Sequence, residues 1–251
     1  MLRATFIIAL LLLACRACTN SAGKSVTVDE DTALHTSAKV LVELFTSQGC
    51  SSCPAADRLM GNIITADTNV VALSFHVDYW DRLGWKDIFS NHDYTLRQQQ
   101  YAQVLHAQSL YTPQAVVQGK YEMVGSNRTR VMDAISKTTA QASEQTITAT
   151  ASIHSGIVQL TYRSSAILPK QQIVVVLAQN KATTSVAKGE NAGAQLTDYN
   201  VVRNLIIQPL HDGGSIELYL PDDLKKDNAS IVLFTQDEQT KAVASVMQLH
   251  L

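Results

Sequence analysis

The chain has little of what most function classes need. A formal charge of −2 over 251 residues provides no basic field, which argues against nucleic acid or an anionic membrane surface as partners. There is no phosphate loop, no nucleophilic serine motif and no paired-carboxylate site, so kinase and hydrolase readings have no support and no cofactor is expected. No internal repeat is present, and the run Gln98-Gln99-Gln100 is too short to count as low complexity. Cysteine is scarce as well. Of four in the chain, Cys15 and Cys18 lie at the start, and only Cys50 and Cys53 fall clearly inside the folded part.

The longest apolar stretch, Ala4 to Ala14, follows the short positive start Met1-Leu2-Arg3 and is too brief to span a bilayer comfortably. Residues 1–20 therefore read as a secretory signal peptide. Leu12-Leu13-Ala14-Cys15 resembles a bacterial lipobox, which would make Cys15 the lipidated first residue of the mature protein. Ordinary cleavage near Ala17, leaving Cys18 as an odd thiol, is the alternative. Either way the expected location is exported, periplasmic or cell-envelope, with membrane contact only through a lipid anchor at Cys15. Outside the cytoplasm disulfides persist and a dithiol can exchange electrons with other proteins.

What the chain does have is Cys50-Ser51-Ser52-Cys53-Pro54, placed between the apolar run Val40 to Phe45 and a helix-like run from Pro54 to Ile64. A dithiol at a strand-to-helix turn points to redox chemistry. Unpaired N–H groups and the helix dipole favour a thiolate there, and Pro54 suits a first helical turn. Beside it stand the bland reading, two buried structural cysteines or a simple stapling disulfide, and a metal site, because the CxxC spacing also suits zinc or copper.

Residues 21–38 are polar and aperiodic, a flexible lead-in. From Lys39 the pattern predicts a strand, a helix with Ala55, Ala56, Leu59, Met60, Ile63 and Ile64 on one face, and a second strand over Val70 to Val77. A surface helix within Asn91 to Gln108, a hairpin of Ala115–Val117 and Tyr121–Val124, and a helix capped by Asn127 follow. Strand, helix, strand, helix, hairpin, helix is the order of a thioredoxin-like α/β domain, expected over residues 39–140. Beyond it, seven short strand candidates between Thr146 and Leu249 alternate with Gly, Asn, Asp and Pro turns. They predict a second, all-β sandwich-like domain over residues 146–251.

Within that frame, Thr112-Pro113 stands where a thioredoxin-like fold holds a cis-proline that faces the dithiol and docks substrate. Glu43, a lone carboxylate in an apolar strand, is the candidate to exchange a proton with the second thiol, or else it pairs with a cation such as Lys39. His76 and Asp78 end the second strand at the sheet edge where ligands gather. His76 is a candidate thiolate stabiliser, or a third metal ligand beside Cys50 and Cys53, against the plainer role of a packed core residue. Both tryptophans, Trp80 and Trp85, fall in the following loop and can wall a cleft or cover the edge. In the second half, Glu190 and Arg203 are expected to form a loop-fixing ion pair, with contact to the redox edge as the alternative.

Val42 to Asp57, Ser74 to Trp80, Leu83 to Asp87, Tyr111 to Gln114 and the cluster from Gly189 to Arg203 closely resemble the secreted bacterial proteins grouped as domain of unknown function 1223. The resemblance runs from about Ala38 to the C-terminus. It implies a thioredoxin-like fold and export, and no activity. Compared with ordinary thioredoxins, Gly49 replaces the tryptophan before the first cysteine and Ser51-Ser52 replaces Gly-Pro, so the direction of exchange stays open. The expectation is a thiol–disulfide oxidoreductase acting on protein or small-molecule thiols and disulfides. A copper- or zinc-binding module and a non-catalytic envelope interaction protein with a structural disulfide are the alternatives.

Overall fold

A computed structural model describes residues 39–139, 141 and 143–251, so the expected signal segment, Cys15, Cys18 and the lead-in lie outside the described residues. The elements in chain order are β1 (Val40–Thr46), α1 (Cys53–Ala66), β2 (Val70–His76), α2 (His92–Val104), β3 (Gln114–Val117), β4 (Tyr121–Val124), α3 (Arg128–Thr139), β5 (Ile147–His154), β6 (Ile157–Ser164), β7 (Gln171–Ser185), β8 (Gln195–Pro209), β9 (Gly213–Tyr219), β10 (Ala229–Asp237) and β11 (Val243–His250). Among the described residues no helix is long and apolar enough to cross a membrane.

The fold is mixed α/β, with one eight-stranded sheet in the order β11-β10-β7-β8-β2-β1-β3-β4 and a three-stranded sheet β5-β6-β9. β1 runs parallel to β2 and antiparallel to β3, as a helical crossover followed by a hairpin dictates. Every expected strand and helix is present, but the sheets are partitioned differently from the expectation of a sandwich standing apart. β7, β8, β10 and β11 continue the first sheet, with β8 laid parallel beside β2 at Ser74 and Val201.

The reason lies in the side chains of β7 and β10. Val174, Val176, Ala178, Val232 and Phe234 pack with Leu41, Phe45, Phe75, Tyr94 and Tyr101 on one face, while Ile173, Val175, Leu177, Ile231 and Leu233 pack with Val158, Leu160, Tyr162 and Leu218 of the small sheet on the other. Strands apolar on both faces must be covered on both, so the small sheet covers one side and α2 lies across the other. A third cluster holds α1 and α3 against Val42, Leu44, Ala115 and Val117. Where α1 meets β8, Gly61 is required: a Cβ there would run into the ring of Tyr199.

Candidate functional site

Cys50 and Cys53 are joined by a disulfide with their Cα atoms 5.4 Å apart. The turn is built locally: Cys50 N–H donates to Ser47 O, Cys53 N–H to Cys50 O, and Gly49 N–H to Ser47 Oγ. Ser52 occupies the N-cap position of α1 without capping it, and the first turn holds no acidic residue. Its hydroxyl lies 3.3 Å from Cys50 Sγ and 3.5 Å from the Thr112 carbonyl. The Thr112–Pro113 bond is cis, and the contact of the Thr112 carbonyl with Ser52 puts this pair beside the dithiol turn. Trp80 Nε1 donates to Thr112 Oγ1 at 2.8 Å, and a Cβ on Gly49 would stand 3.2 Å from Trp80 Cβ.

Glu43 is not at this site. Strand alternation turns it to the face opposite α1, where Arg97 grips both of its oxygens at 2.6 and 3.0 Å and Tyr101 donates to it. Gln236 of β10 donates to Tyr101. The expected partner, Lys39, instead donates to Thr68 O. Glu43 is therefore half of a buried ion pair joining β1 to α2 and β10, which removes it from proton exchange with the thiols.

The buried acid on the dithiol side is Asp57, one helical turn past Cys53 and so on the same face of α1. Thr46 Oγ1 donates to it at 3.0 Å. Burial first, then the neighbouring Asp198 carboxylate, push its pKa up to about 8. Asp198, brought in by β8, is raised for the same primary reason, burial. His76 completes this cluster. Its Nδ1 donates to Asp87 at 2.7 Å, and the same carboxylate oxygen accepts from Gln48 N–H at 2.8 Å, tying the imidazole to the backbone two residues before Cys50. Burial alone would depress His76, but Asp87, Asp198 and Asp57 together outweigh it and push the imidazole up to about 9. His76 Nε2 and Asp198 Oδ2 are buried without a protein hydrogen-bond partner. Among the described residues no three His, Cys, Asp or Glu side chains are disposed to hold a metal ion. The trio Cys50, Cys53 and His76 is accordingly not assembled as ligands here.

The second half of the chain reaches the dithiol directly. Glu190 and Arg203 do not pair: Arg203 forms a two-point contact with Asp223 at 2.7 and 2.8 Å. Glu190 Oε2 accepts from Ser51 N–H at 3.0 Å, and the Ser51 hydroxyl first, then this N–H, hold the exposed carboxylate below its usual range. Asn191 Nδ2 donates to both Gln48 O and Cys50 O at 2.9 Å. Trp85 Nε1 donates to Gln48 Oε1, and Gly189 packs against Trp85. Both cysteines are fully buried. Asp57 was visible in the sequence as a polar residue on the apolar face of α1. Asp198 gave no signal, because its approach depends on a pairing between distant strands.

The family model described as "Protein of unknown function (DUF1223)" matches residues 41–236. Among solved structures, the X-ray crystal structure of protein AGR_C_4864 from Agrobacterium tumefaciens is 27% identical with a TM-score of 0.64, covering 84% of this chain and 93% of that one. HBP35 of Porphyromonas gingivalis is 13% identical with a TM-score of 0.59, covering 85% of this chain and 75% of that one, a likeness of fold alone. No curated protein matches the chain.

Proposed function

The chain belongs to this family of proteins of unknown function, and from that premise we propose that it is an exported thiol–disulfide oxidoreductase-like protein working through Cys50 and Cys53. The observation that carries the reading is the disulfide at the N-terminal end of α1 with a proton-holding acid, Asp57, buried one turn further on. The sheet order β2-β1-β3-β4, with α1 between the parallel pair, supports treating residues 39–140 as a thioredoxin-like unit. Residues 146–251 then act as a β-rich partner that shares its sheet.

In the reduced protein, the Cys50 thiolate attacks one sulfur of a substrate disulfide, and the other substrate sulfur leaves as a thiolate. Asp57 in its ionised form takes the proton of Cys53, whose thiolate attacks Cys50, re-forming the Cys50–Cys53 bond and releasing the second substrate thiolate. Two electrons pass to the substrate, and two protons complete its thiols. An acid titrating near 8 can accept and return a proton at neutral pH. Thr112 and Pro113 supply the backbone beside the turn on which an extended substrate docks. Export fits a protein whose chemistry needs an oxidising compartment, and the substrates are protein or small-molecule thiols and disulfides.

Cys53→Ser removes the resolving thiol and is expected to accumulate a mixed disulfide between Cys50 and a cellular partner, seen as a reductant-sensitive band. If the variant captures nothing and the wild-type protein neither reduces nor oxidises model disulfides, the reading fails. Full burial of both sulfurs favours a second reading, a static disulfide. A reduction potential below about −300 mV would select it over exchange.

A further inference from the structure

The loop between β7 and β8 does more than connect a hairpin. From Gly189 to Gly193 it folds on itself, with Ala192 N–H donating to Gly189 O, Gly193 N–H to Val186 O and Ala194 N–H to Asn191 O. Gly189 and Gly193 bound it with φ of +78° and +82°. Its two polar tips grip main-chain atoms of the dithiol turn: Asn191 holds the carbonyls of Gln48 and Cys50, and Glu190 holds the amide of Ser51. Neither Asn191 nor Glu190 contacts the sulfurs by hydrogen bonding, yet Cys50 and Cys53 expose no surface while Ser51 and Ser52 between them are exposed. An attacking thiolate must approach a disulfide along the line of the S–S bond, and a fully covered sulfur offers no such path.

We propose that Asn191 and Glu190 are positioning residues of the dithiol site: the 189–193 strap closes the Cys50–Cys53 disulfide, and a thiol reaches it only when the strap lifts from the Gln48–Ser51 backbone. The inference rests on the reading of this pair as an exchangeable disulfide. It assigns the second half of the chain the task of controlling access, so that exchange rate is set by strap release as well as by sulfur chemistry.

Dithiothreitol is the probe. Its first thiolate attacks one protein sulfur, the other leaves as a thiolate and takes a proton, and the second dithiothreitol thiolate closes the ring, carrying away the oxidation. Oxidised dithiothreitol runs the reverse step. Two uncharged variants test the strap by separate routes. Asn191→Ala removes both carbonyl contacts, each a modest hydrogen bond. Gly193→Ala removes no contact, since a Cβ there meets nothing within 4 Å, but it strains the left-handed backbone at the strap's end.

Both variants are expected to be reduced and reoxidised about tenfold faster than wild type, with an unchanged reduction potential, because access alters both directions alike. Rates equal to wild type would overturn the proposal. So would a change in one direction with a shifted potential, which would mean that the loop stabilises one redox state, or acceleration that simply follows lost stability in urea. These outcomes are separate from failure of the oxidoreductase reading, which turns on capture of partners by Cys53→Ser.

Discussion

Asp57→Asn tests the buried acid through the pH dependence of folding. In the folded protein Asp57 holds its proton up to about pH 8, whereas the unfolded chain releases it near the ordinary value of 3.8. Between those values the native state binds more protons, so stability falls as pH rises. At 1.36 kcal/mol for each tenfold change, the loss between pH 5 and pH 8 approaches about 4 kcal/mol. Asparagine keeps the shape and the acceptor for Thr46 but carries no charge, so its stability should not fall with this slope. Its extra N–H groups need partners, which sets the absolute stability lower by about 1–3 kcal/mol if they find none. The informative quantity is therefore the difference between variant and wild type as a function of pH, not its value at one pH. His76 also destabilises the fold as pH climbs, from its ordinary 6.5 through about 9, but it does so in both proteins and largely cancels. Urea unfolding of the oxidised proteins, followed by circular dichroism from pH 5 to 8, should show the variant gaining on wild type by about 2–4 kcal/mol. A pH-independent difference would refute the assignment of a protonated Asp57.

The remaining expectations concern two arginine–carboxylate pairs, Arg97 with Glu43 and Arg203 with Asp223. Glu43→Ala leaves Arg97 charged and unpaired in the core, so urea unfolding should show a loss of about 3–5 kcal/mol, while the Cys50–Cys53 potential measured in dithiothreitol buffers stays at the wild-type value. A shifted potential with intact stability would return Glu43 to the redox site. Asp223→Asn breaks the contact to Arg203 on the surface, where Asp223 is 69% exposed. Its effect on thermal unfolding should stay below about 1 kcal/mol and shrink further in salt.

The element order was legible because each element carried its own local signal: the apolar face Ala56, Leu59, Met60 and Ile63 of α1, the turn Gln118-Gly119-Lys120 between β3 and β4, and the side-chain cap that Asn127 gives α3. The division of the strands into sheets was less legible. Ile173 to Ala178 reads as an unbroken apolar run, and that run already implied burial on two faces. What it could not say is that β2 lies on one side of the molecule waiting for β8. The site divided in the same way. Cys50, Cys53, Pro113 and His76 stood out by chemistry and placement; Asp57 was missed, although helical spacing puts it one turn past Cys53. Glu43 misled because an acid inside an apolar strand has two faces to choose from, and the choice was made by Arg97, 54 residues away. Asp198 reaches Asp57 and His76, and Glu190 and Asn191 reach the dithiol turn, across more than a hundred residues, and no local pattern announces those.

The strand junction between β2 and β8 also bears on what a fragment of this protein would be. β2 is buried along its whole length, and with β8 removed it would lose the pairing of Ser74 with Val201 and stand as an open edge beside Val71, Leu73 and Phe75. Such an edge invites pairing with any extended chain in reach. The first hundred residues of the fold are thus not a spare part that could be moved to another polypeptide with its redox turn intact. They would arrive without the neighbour that keeps their sheet from recruiting strangers.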